Sequence, residues 1–195
     1  MKSMQGLSDL QNYVAMQAQR EIGVQVLFAL AAFENITKKG EGNIILTFSS
    51  IHSFLTHCAN ISKLLWSPPK ATSGTIRSEI GQDLADAIGT PVLPLLKDKS
   101  FRDDLDHYDE RMLRWIKEEY PKHQNGDADR RPVSDLTIGD KNQKGGQNAL
   151  HLRNYNPDTK IYTYAERDLD LGALRDELLE LQIFLGGPYA RDASI

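Results

Sequence analysis

Cysteine is nearly absent from this 195-residue chain, which has Cys58 alone. A single thiol cannot close an internal disulfide, so a reducing compartment is expected and packing must hold the fold. Leu55, Ile61 and Leu65 around it mark Cys58 as a small buried hydrophobe rather than a nucleophile. Long hydrophobic runs are missing as well. The longest, Val26 to Phe33, is far short of the roughly 18 residues that a membrane-spanning helix needs. The opening MKSMQGLSDLQ has no apolar signal core, so a cytoplasmic protein with no membrane partner is expected. Nor is there a basic excess: 23 Lys and Arg against 27 Asp and Glu give a net charge of −4. That balance argues against bulk, non-specific nucleic-acid binding, which runs on clustered cations, but leaves room for a local phosphate site.

What is present is the balance of a folded globular chain, 40% hydrophobic and 26% charged. Helical spacing dominates the first 120 residues. Val14, Ala18, Ile22, Val26, Leu30 and Phe33 predict a helix from about Ser8 to Asn35, with Ser8 as its N-cap. Ile44, Phe48, Ile51, Leu55, Cys58 and Leu65 predict a second, ended by the Ser-Pro-Pro at 67–69. A third is expected over Thr75–Ile88 and a fourth over about Phe101–Tyr120, with a turn at GTPVLP between them. After Pro121 the chain turns polar and glycine-rich. Short strands are expected over 133–138, 149–154 and 160–164, then a helix over Leu171–Leu185 stopped by Gly186. The fold expected is α+β and mainly α. A four-helix bundle over residues 1–121 precedes polar loops, a small antiparallel sheet and a closing helix over 122–195, packed on the bundle. Residues 122–153 carry six Lys or Arg against four Asp or Glu, the only mildly basic region. Ordered loops of such length are often functional.

The stretch KSFRDDLDHYDERMLRW, residues 99–115, carries the chemistry. Ser100 and Asp103 have the form of a capping box, which would start a helix near Phe101 and set Arg102 beside unsatisfied N–H groups that attract anions. His107 lies five residues on, about 140° around a straight helix, so the two do not share a face. Asp103 and His107 stand one turn apart, so the carboxylate can fix the imidazole tautomer. Two readings stay open. Arg102 with Asp106 and His107 with Arg111 are also one turn apart, as on an ordinary solvated helix. Alternatively, the guanidinium and imidazole act together on a phosphate.

The segment Arg102-Asp-Asp-Leu-Asp-His107 resembles the Arg-x4-His motif of the HEPN superfamily, including the polar residue after the arginine, here Asp103. Its place in the fourth helix of an all-α bundle and the downstream HYDERMLRW are similar to HEPN-like proteins of uncharacterised bacterial families. The resemblance spans about residues 8–120. It implies a homodimer that brings two motifs into one cleft, and either binding of RNA or nucleotides or metal-independent RNA cleavage. On that implication Arg102 stabilises the phosphorane, His107 is general acid or base, and Asp103 orients the pair. The chemistry is coherent, because attack by the ribose 2′-hydroxyl needs an acceptor that titrates near neutrality and a fork of donors for the non-bridging oxygens. The chain departs from toxins of the family where they often carry a tyrosine two positions past the histidine, which here is Asp109. Four carboxylates among residues 103–109 also oppose an RNA backbone. The alternative is a non-enzymatic interaction module in which the Arg–His pair is structural.

His52 and His57 are five apart on the second helix, a spacing that does not suit a shared metal, and the glycines of KGGQN lack the context of a phosphate loop. Neither metal nor cofactor is therefore expected. Ser53, His57 and Asn60 share a face and are predicted to line a polar cleft against the fourth helix. Trp66 and Trp115 are expected to pack in the bundle.

Overall fold

The computed structural model describes residues 7–39, 43–66, 74–98, 100, 107–124, 133–141 and 150–186. The chain is α+β and mainly helical, with a small mixed sheet. Helix α1 (Asp9–Glu34) begins at the expected cap. The Ser8 hydroxyl accepts the Gln11 N–H, and the Gln11 side chain answers the Ser8 N–H. It runs on into one π-helical turn, Asn35–Lys39. Helix α2 (Ile44–Leu65) is capped by the Asn43 side chain. The two run antiparallel: Phe33 meets Phe54 with ring centres 5.4 Å apart, while Gln25, a little over two turns earlier, meets Asn60.

Ala15, Ala18, Ile22, Val26 and Ala29 on α1 and Ile51, Phe54, Leu55, Cys58 and Ile61 on α2 are buried, in the periods the sequence predicts. Alanines on α1 let the helices approach closely, and the larger side chains of α2 fill the space between them. Burial pushes the Cys58 thiol well above its ordinary range, as expected of a core residue. By length and composition alone α2 is also long and apolar enough to cross a membrane, but half of its most apolar window is buried inside the protein. Its hydropathy is therefore that of a core helix, a feature that run length alone did not reveal.

Past this pair the structure departs from the expected third helix. Residues 76–88 form two short helices, α3 (Ile76–Ile80) and α4 (Leu84–Ile88), because Gly81 takes φ +83° and ends the first. The Arg77–Asp83 ion pair, 2.6 Å, spans the break. A further turn of helix, α5 (Pro94–Lys97), sits where only a turn was expected. Helix α6 is described over Tyr108–Gln124 and passes through Pro121, beyond the expected end at Tyr120.

The last helix, α7 (Leu171–Leu185), has its predicted bounds, with the Asp170 side chain at its start and left-handed Gly186 at its end. Leu171, Leu174, Leu178 and Leu181 are fully buried in the main core, each contributing roughly 2 kcal/mol of transfer free energy. The Glu177 carboxylate of α7 accepts the Leu95 and Leu96 N–H groups, both at 2.8 Å, and so caps α5 from a distance.

The strands are β1 (Val133–Ser134), β2 (Thr137–Ile138), β3 (Leu150–His151), β4 (Arg153–Asn156), β5 (Ile161–Tyr164) and β6 (Arg167–Asp170). The main sheet has the order β2-β4-β5-β6, and β1 pairs with β3 apart from it. The expected antiparallel pairing holds for β4 and β5, and β6 extends it antiparallel to β5, whereas β2 lies parallel to β4 and β1 parallel to β3. Strand β6 was not anticipated. Its sequence Arg-Asp-Leu-Asp offers one apolar residue, and charge suits a sheet edge. The turn before it is equally silent in sequence. Ala165 and Glu166 both take positive φ, the conformation that Asn-Gly usually signals. Tyr162 of β5 meets Phe48 of α2 edge-on, joining sheet to bundle.

Trp115 of α6 is buried, but outside the main core. It packs with Leu150 and Leu152, flanked by Met112, Tyr164 and Ala165, in a second small cluster. Trp66, by contrast, joins the main core as expected.

Candidate functional site

The Arg-x4-His segment is only partly described. Arg102 and Asp103 lie outside the described residues. Ser100 lies within them, and its N–H and hydroxyl both donate to the Asp98 carboxylate, at 2.8 and 2.9 Å. The expected capping box pairs Ser100 with Asp103, so it lies outside the described residues. His107 is the turn residue directly before α6, and its carbonyl accepts the Arg111 N–H at 2.9 Å. Its side chain is exposed, with Nδ1 3.7 Å from Glu110 Oε2. Asp109 and Glu110 occupy the first turn of α6, where carboxylates oppose the partial positive charge of the helix end.

Of Ser53, His57 and Asn60, the last two meet through Gln25 of α1, and the first two line a groove against α1 rather than the fourth helix. Ser53 and His57 line a shallow groove of about 360 Å3 between α1 and α2. A hydrogen-bond chain sets the histidine tautomer. The Glu21 carboxylate only accepts, so the Gln25 amide nitrogen faces it at 2.7 Å. That turns Gln25 Oε1 toward α2, where it accepts from His57 Nδ1 at 2.8 Å and Asn60 Nδ2 at 3.2 Å. His57 Nε2 is then the basic nitrogen, and the Phe28 ring stands 5.3 Å from the imidazole. Burial lowers the His57 pKa and so favours the neutral ring.

The larger feature was not legible in sequence. A cleft of about 550 Å3 opens between the first three turns of α2 and the face of the main sheet. Strand register builds its sheet wall in two rows. Arg153, Tyr164 and Arg167 pair across β4, β5 and β6 to form one; Tyr162 and Leu169 form the next, while Tyr155, paired with Tyr162, is buried in the core. On α2, Phe48, Ile51 and Leu55 supply an apolar floor, and the exposed Ser49 and His52 stand at its edge. His52 thus faces the cleft while His57 faces the groove, as 140° of helical rotation requires. Ser100 also lines the cleft.

Ion pairs hold the polar rim. Arg153 Nε and Nη2 bond both oxygens of Asp135, at 2.8 and 2.6 Å. Burial alone would raise the Asp135 carboxyl, but the Arg153 hydrogen bonds and charge, with the Leu136 N–H, outweigh it and hold it below the usual range. Asp168 behaves alike. Lys141 Nζ lies 2.8 Å from both of its oxygens and the buried Thr163 hydroxyl donates to it at 2.6 Å, which together overcome burial. Among the described residues no group of three or more His, Cys, Asp or Glu side chains converges as metal ligands would.

No family model matches the chain, and neither the curated proteins nor the solved structures hold a significant match.

Proposed function

We propose that the chain is a HEPN-like, homodimeric, cytoplasmic protein that binds RNA and cleaves it without a metal, using Arg102, Asp103 and His107. The observation that carries this reading is the position of His107. It is solvent-exposed at the start of α6, with one ring nitrogen toward the Glu110 carboxylate, which leaves the other for a substrate oxygen. Two residues of α6 support the dimer. Leu113 and Ile116 are 52% and 42% exposed, an apolar pair roughly two turns beyond the histidine. In the mechanism, His107 takes the proton of a ribose 2′-hydroxyl as that oxygen attacks the adjacent phosphorus. The Arg102 guanidinium balances charge gathering on the non-bridging oxygens. The 5′-oxygen leaves with a proton from the second motif of the dimer, and the product ends in a 2′,3′-cyclic phosphate.

The test is incubation of a defined RNA and the DNA of the same sequence with EDTA present. The expected result is cut RNA with cyclic-phosphate ends, intact DNA, and loss of at least about a hundredfold in rate for His107→Ala. RNA cut as fast by His107→Ala, or left intact by the wild type, refutes the assignment. The same exposed apolar pair favours the alternative of a non-enzymatic interaction module. Under that reading His107→Ala weakens the dimer and no cleavage occurs.

A further inference from the structure

We propose that the cleft between α2 and the main sheet binds an uncharged, flat aromatic molecule of roughly three or four fused rings that carries a single hydroxyl. This site is separate from the Arg–His chemistry and does not depend on it. Its volume of about 550 Å3 is that of a small-molecule pocket. The walls argue for the rings. Ile51 and Leu55 on one side and Leu136 and Leu169 on the other offer contact and dehydration, but no partner for the hydrogen-bonding edge of a base. Phe48 of α2 and Tyr162 of β5 stand edge-on with ring centres 6.4 Å apart, and Tyr164 lines the same sheet wall. Helix and sheet thus both present aromatic rings to the cleft, which suits a flat ligand.

The rim argues against charge. The ionic side chains described there are Arg153, Arg167 and Asp168. Arg153 bonds both oxygens of Asp135, Asp168 accepts from Lys141 and the Thr163 hydroxyl, and Arg167 has a partner as well. An ionic ligand would have to break one of these contacts, whereas an uncharged one breaks none. The polar handle lies on α2 instead. The His52 imidazole lines the cleft, is exposed, and makes no hydrogen bond among the described residues. A ligand hydroxyl, donor and acceptor at once, satisfies it in either tautomer. Ser49 donates to the Leu46 carbonyl at 3.0 Å, which leaves its oxygen to accept from the same hydroxyl.

Fluorescence titration of the full chain with 1-hydroxypyrene, pyrene and pyrene-1-carboxylate tests this. 1-Hydroxypyrene is expected to saturate at about one molecule per chain. Pyrene should bind roughly fivefold more weakly because one hydrogen bond is lost, and the carboxylate at least about tenfold more weakly because its charge finds no open partner. His52→Ala should weaken 1-hydroxypyrene about fivefold and leave pyrene unchanged. Ser49→Trp fills the cleft from an exposed helical position and should abolish binding of both. Circular dichroism checks that the variants fold, and His52→Ala, a truncation at an exposed position, keeps the test decisive if the tryptophan disturbs α2. No saturable binding of 1-hydroxypyrene, equal binding of the carboxylate, unchanged 1-hydroxypyrene binding in either folded variant, or displacement of the probe by adenosine monophosphate or a short RNA would each overturn the proposal, the last by giving the cleft to a nucleotide.

Discussion

The interface of α1, α2 and α7 and the sheet side of the molecule solve burial in different ways. In the first, buried side chains are mostly aliphatic or aromatic, with the small hydroxyls of Thr47, Ser50 and Ser62 on α2 the polar exceptions, and Leu171, Leu174, Leu178 and Leu181 slot in with no polar partner needed. On the sheet side the buried residues include His151, Asn154 and Thr163, and each is tied by directional bonds. His151 Nε2 donates to the Lys141 carbonyl at 3.1 Å, so its Nδ1 accepts from the Thr137 hydroxyl at 3.2 Å. Asn154 Nδ2 donates to that same hydroxyl oxygen at 2.8 Å and to the Thr137 and Gly139 carbonyls. The Glu166 carboxylate accepts the His151 backbone N–H, anchoring the positive-φ turn before β6. Non-directional burial makes a tolerant, stable core. A polar network fixes geometry, which a ligand site needs, and leaves less apolar area to hold it together.

The sharpest way to break this contrast is to truncate one leucine on each side. Leu178→Ala is expected to cost about 3–5 kcal/mol, because four packed leucines cannot collapse into the space. Leu152→Ala, in the small Trp115 cluster, should cost about 2 kcal/mol, at the low end for such changes. Urea denaturation gives both values, and equal costs would erase the distinction. Glu177→Ala probes the joint between α7 and α5. It strips two part-buried N–H groups of their acceptor and should cost about 1–3 kcal/mol in the same experiment, with Glu177→Gln recovering part of it.

Acid provides the smallest effects. The His57 pKa is depressed in the fold, so its stabilising contribution is complete above the ordinary value of 6.5 and is lost as pH falls through the folded value. Asp135 and Asp168 are also depressed, so their contributions persist until pH falls below the ordinary 3.8. Each is a partly exposed group and is worth about 1 kcal/mol or less. A urea midpoint followed against pH should therefore show two shallow declines. His57→Gln should remove the upper one alone.

The same contrast explains what could be read before the structure. Helices α1, α2 and α7 were legible because burial imposes a period, and Ser8 and Gly186 punctuate it with side-chain and backbone geometry. The split between α3 and α4 was visible only as Gly81 inside a helical pattern. Strand β6 and its Ala-Glu turn had no signal, since Glu166 is anchored by His151, fifteen residues away. Helix periodicity puts Ser53, His57 and Asn60 on one face of α2, but that their neighbour is Gln25 of α1 is set by packing, which the sequence does not carry. The cleft was hidden for the same reason. The alternation of Ile161-Tyr-Thr-Tyr164 placed two tyrosines on one face, yet register with Arg153 and Arg167 is a tertiary fact.

Native-state hydrogen exchange tests the division of labour most directly. Amides of α1, α2 and α7 should exchange only through global unfolding and share one free energy, while those of α6, β1 and β3 should open locally at a lower one. Sheet-side amides as protected as those of α2 would contradict the account.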